Sequence, residues 1–262
     1  MIARKFLSGR VLLAGFMLFG MLVVSSCSND GRRGGAPPIR SGPIRVVVVT
    51  GGHGFEEDSF SAIFRSFRDV EFTVATQTDD SELFEDISEW NYDVIVLYNM
   101  TQKISPKRQQ NFVKLLNRGV GVVALHHSIG AWQQWNTYPK IIGGKFYLKE
   151  TKEGKVVRAA SKYKDDVDID VHVEDREHPI TKGLKDFRIH DETYKNCSFE
   201  KDNHVLLSTE EETNDEPLCW VRKYGKGRVC YIQFGHDGAA YTNRNYRLLI
   251  GRAIRWCSWK LN

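Results

Sequence analysis

The segment Gly119-Val120-Gly121-Val122-Val123-Ala124-Leu125-His126-His127-Ser128 decides the fold of this chain. Its short, β-branched apolar run is entered through glycine and is typical of a central strand of a parallel sheet, because such strands are covered on both faces. Ligands of open α/β sheets bind in the crevice beyond the carboxyl ends of the strands. His126 and His127 follow the strand directly and are therefore candidate site residues.

Strands and helices alternate on the amino-terminal side of this segment. Strands are predicted over Arg45–Thr50, Val70–Thr76 and Tyr92–Tyr98, and a helix over Ser105–Asn117 with Ser105 as its cap. This alternation predicts an α/β domain with a doubly wound, mostly parallel sheet of the flavodoxin-like kind.

A glycine-containing turn joins two later strands, Pro217–Lys223 and Arg228–Phe234, and predicts an antiparallel hairpin added to the sheet. The second strand leads into Gly235-His236-Asp237, so a histidine and a carboxylate again follow an apolar run. Residues 44–262 are expected to form one domain, since this length and a hydrophobic content of 41% suffice for one large core.

The charge distribution argues against a nucleic-acid partner. The first forty residues carry six basic residues and one acidic residue, so they account for more than the whole formal charge of +4. The remainder is close to neutral, and it contains no basic stripe interleaved with aromatic residues.

Residues 1–26 have the layout of a secretory signal peptide, with a basic start, an apolar run over Val11–Val24 and small residues before Cys27. Val24-Ser25-Ser26-Cys27 looks like a bacterial lipobox, which predicts a lipidated Cys27 followed by a flexible tether to residue 43. The expected location is the cell envelope, with the membrane as a partner through the lipid. An uncleaved anchor or an ordinary signal peptide is the alternative.

Four further cysteines are expected to be buried thiols. Cys219 and Cys230 flank the hairpin turn in a register that makes them diagonal, and Cys257 lies on an apolar helix face. Cysteine and histidine spacings typical of zinc sites are absent from the sequence.

Three features of the sequence each leave two interpretations open. His53, in the turn Gly51-Gly52-His53-Gly54, is either an active-site side chain or a polar turn residue. Trp132, Trp135 and Tyr138 either stack on a sugar ring or pack an insertion onto the core. Asp191, Glu192 and Tyr194 form a dense group of titratable side chains that is either a site or a solvated strand end.

Taken together, these segments resemble the trehalose-utilisation (ThuA-like) family, whose fold is that of class I glutamine amidotransferase domains. The resemblance covers nearly everything after residue 44. It is carried by Thr50–His53, Val123–His127, Ile142–Phe146, His178–Ile180, Asp191–Tyr194, Pro217–Trp220, Tyr224–Arg228 and Gly235–Asp237.

The resemblance implies a changed active site. Amidotransferases carry a cysteine nucleophile at the strand-to-helix elbow, where this chain has His126 or His127, so a glutaminase is rejected. Ser128 lacks the surrounding motif of a serine nucleophile. Family members often have a histidine after the Gly-Gly-x-Phe segment, where this chain has Lys149. The resemblance implies a role in sugar metabolism, in which the protein would act on keto-disaccharides or glycosides.

Three functions follow as hypotheses. The first is an enzyme acting on a sugar derivative, in which His126 and His236 are acid/base groups or ligands of a divalent metal and Glu192 is their carboxylate partner. The second is a lipid-anchored sugar-binding module without catalysis, and the third is a structural or partner-docking lipoprotein. Further catalytic candidates are Asp191, Tyr194 and His53; substrate-binding candidates are His127, Trp132, Trp220 and Asp237.

If Cys27 carries lipid, Cys27→Ala should move the protein from the membrane fraction to a soluble or uncleaved form, because the acyl chains supply the anchoring. Fractionation followed by immunoblotting measures this. Equal membrane association of both forms would contradict lipidation.

Overall fold

A computed structural model of the protein describes residues 41–262. The predicted signal peptide, Cys27 and most of the tether lie outside the described residues. In the described part, no helix combines the length and apolar character needed to cross a membrane.

The fold is mixed α/β. The strands are β1 (Ile44–Gly51), β2 (Val70–Thr76), β3 (Val94–Asn99), β4 (Gly121–Leu125), β5 (Gly144–Lys145), β6 (Thr151–Glu153), β7 (Val156–Arg158), β8 (Lys162–Val173), β9 (Phe187–Lys195), β10 (Ser198–Phe199), β11 (His204–Ser208), β12 (Pro217–Tyr224) and β13 (Gly227–Ile232). The helices are α1 (Glu57–Arg65), α2 (Pro106–Arg118), α3 (Tyr138–Ile142), α4 (Gly238–Thr242) and α5 (Arg244–Cys257).

Nine strands form one sheet in the order β2-β1-β3-β4-β13-β12-β11-β8-β9. The first five are parallel, and β4 lies between β3 and β13 as a central strand should. The last four continue the sheet in antiparallel fashion. The expected hairpin is β12 and β13, but the antiparallel part is larger than predicted, because β11, β8 and β9 extend it.

Local sequence signals set the ends of α2. The Ser105 hydroxyl accepts a hydrogen bond from the Arg108 backbone N–H, and Pro106 occupies the first turn. Gly119 ends the helix at φ 97°, a left-handed conformation that glycine adopts without steric cost. The helix therefore lies within one residue of its predicted bounds.

Side-chain alternation along β1 divides the interior into two cores. Val46 and Val48 pack in a cluster that includes residues of α1 and α5, whereas Val47 and Val49 pack in a second cluster with α2 and α3. The parallel strands are thus covered on both faces, which explains their almost unbroken apolar sequences.

The tryptophans expected to contact sugar are core residues instead. Trp132 and Trp220 are 1% and 0% exposed and belong to the second core cluster. The Trp220 ring stacks on Tyr231 at 4.3 Å, and its Nε1–H donates to the Ile142 carbonyl at 2.8 Å. Neither ring has exposed surface to offer a ligand, so the structure favours the core-packing interpretation of Trp132, and Trp220, a substrate-binding candidate, also packs in the core.

The positions of Cys219 and Cys230 in the hairpin confirm the expected register. Cys219 lies opposite Ile232 and Cys230 lies opposite Val221, which makes the two cysteines diagonal. The four cysteines of the described part are free thiols. Cys219, Cys230 and Cys257 are buried and contribute small apolar side chains to the core, whereas Cys197, which was also expected to be buried, is only half-buried.

Gly121, at the start of β4, allows the close approach of α5. An added Cβ would overlap the Cys257 carbonyl oxygen and lie 2.7 Å from Cys257 Cβ. Gly121→Ala should therefore lower the free energy of unfolding by roughly 1–3 kcal/mol, the usual cost of overpacking. Urea unfolding measures the change.

Gly54→Ala is the matched control, since a Cβ there meets open space and the backbone has no positive φ. It should change stability by no more than about 0.5 kcal/mol. Equal effects of the two substitutions would contradict the packing argument.

Candidate functional site

His126 occupies a strained turn at the carboxyl end of β4. Its φ of 49° is in the left-handed region, which a non-glycine residue adopts only when its surroundings impose it. A short 3-10 helix, His126–Gly130, begins here, and the Tyr231 hydroxyl donates to the His126 carbonyl at 2.9 Å. The elbow that the sequence assigned to His126 or His127 therefore centres on His126.

The structure brings His126, Glu192 and His236 together, although they are far apart in sequence. One donor atom from each lies within 4.8 Å of the others. His126 Nε2 is 3.3 Å from Glu192 Oε2, and His236 Nδ1 is 3.8 Å from the same oxygen. Their roles in catalysis or metal binding stay predictions.

The pKa values of His126 and Glu192 are shifted in opposite directions, each toward the charged form. Burial by itself would lower the pKa of His126, but the hydrogen bond with Glu192 and the negative charges of Asp191 and Glu192 outweigh burial and raise it. Burial would likewise raise the pKa of Glu192, and the interactions with His126 reverse this and lower it. The metal-free site therefore favours a buried imidazolium–carboxylate pair.

Asp191 positions the backbone around the site through hydrogen bonds to its carboxylate. Its carboxylate accepts hydrogen bonds from the backbone N–H groups of Glu192, Gly235 and His236 at 2.7–3.0 Å. The side chain is buried and does not line the cavity described below. It was a catalytic candidate, but its carboxylate oxygens are already used to hold the loop that carries His236.

A cavity of about 280 Å³ opens above the cluster. Its polar lining includes His53, Asp165, Glu192, Tyr194 and His236. The apolar lining residues include Met100, Ile129, Phe146, Leu148 and Tyr163. His126 is 1% exposed, and its Nε2 lies 3.3 Å from Glu192 Oε2. It therefore contacts a residue that lines the cavity.

Tyr194 and His127 complete the surroundings of the cavity. The Tyr194 hydroxyl is 3.1 Å from His126 Nε2, and burial raises the pKa of this phenol well above its usual value, so it stays a neutral donor. His127 stacks on His53 at 4.5 Å, and its Nε2 lies 3.2 Å from the Tyr98 carbonyl oxygen. Burial, followed by the nearby histidines, lowers the pKa of His127 well below the ordinary value.

Asp165 is a cavity residue that the sequence did not single out. It lies in β8 where the pairing with β9 shifts register between Lys164 and Val167, and Asp166 has φ 56°. This bulge places Asp165 Oδ1 3.7 Å from His236 Nε2. The residues that follow, Asp166–Val173, alternate polar and apolar side chains as an ordinary half-exposed strand does, so nothing in the sequence marks the bulge.

Asp237 does not line the cavity, although it was a substrate-binding candidate. Its carboxylate accepts hydrogen bonds from the backbone N–H groups of Ala239 and Ala240. It therefore caps helix α4.

The donor set fits a divalent metal. The ligand atoms of a tetrahedral zinc lie about 2.0–2.1 Å from the ion and therefore about 3.3 Å from one another. Glu192 Oε2 lies at similar distances from the two imidazoles, 3.3 Å from His126 Nε2 and 3.8 Å from His236 Nδ1. His126 Nδ1 is 2.8 Å from the Gln233 carbonyl oxygen, so Nδ1–H donates there and Nε2 faces Glu192. His236 Nδ1 is buried with no hydrogen-bond partner among the described residues.

The family model described as trehalose utilisation (ThuA) matches residues 45–257. The chain belongs to the ThuA family. No functionally curated protein matches it.

Solved structures with this fold include two ThuA-like proteins. One, from Parabacteroides merdae ATCC 43184, is 18% identical with a TM-score of 0.66, covering 82% of this chain and 90% of that one. The other, from Bacteroides uniformis ATCC 8492, is 21% identical with a TM-score of 0.59, covering 86% and 95%. PurLQS from Thermotoga maritima is 14% identical with a TM-score of 0.53, covering 82% and 99%. The fold of this ThuA family member is thus that of class I glutamine amidotransferase domains.

In the metal-free protein, the pKa values of the two adjacent histidines should be shifted in opposite directions. His126 should lose its proton above the ordinary pKa of about 6.5, and His127 should remain neutral well below it. A titration of the imidazole ¹⁵N shifts, assigned with His126→Gln and His127→Gln, measures both. Joint titration near pH 6.5 would contradict the assignment.

The raised pKa of His126 also makes its contribution to stability depend on pH. Because the pKa of His126 is higher in the folded than in the unfolded protein, its protonation stabilises the folded state at pH values below the unfolded-state pKa of about 6.5. This stabilisation is lost as the pH rises through the folded-state pKa. The Tm difference between the metal-free wild type and His126→Gln should therefore be larger at pH 6 than at pH 9. A pH-independent difference would contradict a charged His126.

Proposed function

We propose that this protein is an enzyme of carbohydrate metabolism, anchored in the cell envelope through Cys27, that acts on a sugar or keto-sugar derivative by histidine–carboxylate chemistry assisted by a divalent metal. The observation that carries the proposal is the convergence of His126, Glu192 and His236 within 4.8 Å at a cavity of about 280 Å³. Membership of a family described by trehalose utilisation supports the substrate class.

His126, Glu192 and His236 would hold the metal, for the geometric reasons given above. A bound divalent metal would act as a Lewis acid and polarise a carbonyl or hydroxyl oxygen of the sugar. Two imidazoles and one carboxylate are a ligand set used by zinc and by non-haem iron.

The residues of the chain divide the proton chemistry among them. Glu192 and His236 line the cavity, and each would bind the metal through one atom only, so its second oxygen or nitrogen could exchange a proton with a carbon next to a ketone or with a glycosidic oxygen. Tyr194 presents a neutral hydroxyl to a developing negative charge. Neutral His127 can accept a hydrogen bond from a sugar hydroxyl through Nδ1, which has no partner among the described residues.

The apolar walls fit the substrate class as well. Ile129, Phe146 and Leu148 line the side of the cavity and limit the access of water. They offer contact to the C–H face of a sugar ring, while the polar groups meet its hydroxyls.

Among the described residues, no cysteine is placed to supply the thiolate that glutamine hydrolysis would need. The elbow carries His126, and Cys219 and Cys230 are buried in the core. Burial, together with the charge of Asp215, raises the pKa of the Cys197 thiol to about 12, so it remains protonated near neutral pH. These features support a reaction without a cysteine nucleophile.

Metal binding and proton transfer can be measured separately. Glu192→Gln and His236→Ala should each weaken binding of Zn²⁺ or Mn²⁺ by more than the roughly 10–100-fold that loss of an outer-shell partner costs. Calorimetry measures the affinity. With a methyl 3-keto-glucoside in D₂O, the wild type should introduce deuterium next to the ketone, and both variants should lose this activity.

His190→Ala is the matched control. His190 is exposed, pairs with Asp168 at 2.9 Å and lies outside the cavity. It should retain metal affinity and exchange rate. If the wild type binds sugars but catalyses neither exchange nor glycoside cleavage, the non-catalytic binding module replaces this proposal.

A further inference from the structure

A second depression lies beside the catalytic cavity and is here called the lysine groove. It measures about 810 Å³, and its lining includes Lys140, Lys145, Lys149 and Lys152. Glu200 is the one carboxylate among its described lining residues. Residues 41–262 contain 31 basic and 32 acidic residues, so this positive charge is a local concentration and not the average of the domain.

The groove and the cavity share a wall. Leu148 lines both. Gln133, a groove residue, donates through Nε2 to the carbonyl oxygens of Phe146 at 2.7 Å and Gly130 at 3.1 Å, and these two residues line the cavity. Gln102 donates to the Gly130 carbonyl as well, at 3.1 Å. The cavity and the groove therefore adjoin at Leu148, the exposed side chain over which a ligand that reaches both would pass.

The lysines differ in how firmly they are held. Lys145 is only 7% exposed, and its Nζ lies 3.5 Å from the Gln133 carbonyl oxygen and 5.1 Å from the centre of the Tyr147 ring. Lys149 and Lys152 line the groove and are exposed, and neither forms an ion pair with a described side chain. Their ammonium groups are thus available to an anion.

We propose that the lysine groove binds the anionic group of an acidic saccharide, a phosphate or a carboxylate, while another ring of the same molecule occupies the catalytic cavity. The inference rests on the proposed function, which it narrows to charged substrates. The amide groups of Gln102, Gln133 and Gln134 suit the hydroxyls of a sugar, and the lysines select its negative charge.

The test uses the full chain and compares binding of trehalose, its 6-phosphate, its uronic acid form and inorganic phosphate by calorimetry. Wild type should bind one or both anionic sugars about tenfold more tightly than trehalose, and increasing salt should reduce only that advantage. Lys149→Gln combined with Lys152→Gln should remove the advantage and leave the affinity for trehalose unchanged.

Lys185→Gln is the control, since Lys185 is exposed and lies outside the groove. It should alter none of the affinities. The phosphate and the uronic acid separate the two sources of negative charge, and inorganic phosphate shows whether the sugar is needed.

Equal affinity for trehalose and both anionic forms, or an advantage that survives the double substitution, would overturn this inference and leave the proposed function standing. Binding of inorganic phosphate without binding of any sugar would overturn both. A circular dichroism spectrum identical to the wild type establishes that the double variant is folded.

Discussion

The parallel pairing of β4 with β13 is the constraint on which the site depends. It places Leu125 opposite Ile232, so both strands end at the same level of the sheet. His126 follows one strand and Gln233 the other, and the hydrogen bond of 2.8 Å from His126 Nδ1–H to the Gln233 carbonyl fixes the imidazole. Glu192 and Tyr194 then contact a ring whose orientation this pairing has already set.

Glu192 reaches that ring by a less obvious route. Its strand, β9, is separated from β13 by three strands in the order of the sheet, yet the Asp191 carboxylate accepts the backbone N–H groups of Gly235 and His236. The antiparallel part must therefore curve back over the carboxyl edge of the parallel strands. The register shift in β8 accompanies this curvature and adds Asp165 to the cavity.

The resulting electrostatics explain why a buried charge is tolerated here. A protonated His126 is favoured by its hydrogen bond with Glu192, by the negative charges of Asp191 and Glu192, and by the Gln233 carbonyl, and these interactions offset its loss of hydration. Two hydrogen bonds with the end of β13 accompany the strained φ of 49°: the Tyr231 hydroxyl donates to the His126 carbonyl, and His126 Nδ1–H donates to the Gln233 carbonyl. The strained turn at the carboxyl end of β4 thus carries an imidazole in this ThuA family member.

Sequence by itself determined the parallel strands, the bounds of α2, the diagonal cysteines and the candidate status of His126, Glu192 and His236, because periodicity, caps and strand ends are local properties. It left the role of the tryptophans open and included Asp191 and Asp237 among residues expected to act on a ligand. It gave no sign of Asp165 or of the lysine groove. These were decided by tertiary structure alone: whether a side chain faces a cavity, a backbone amide or the core depends on how the antiparallel strands curve over the sheet, and that curvature arises from contacts between residues distant in the chain.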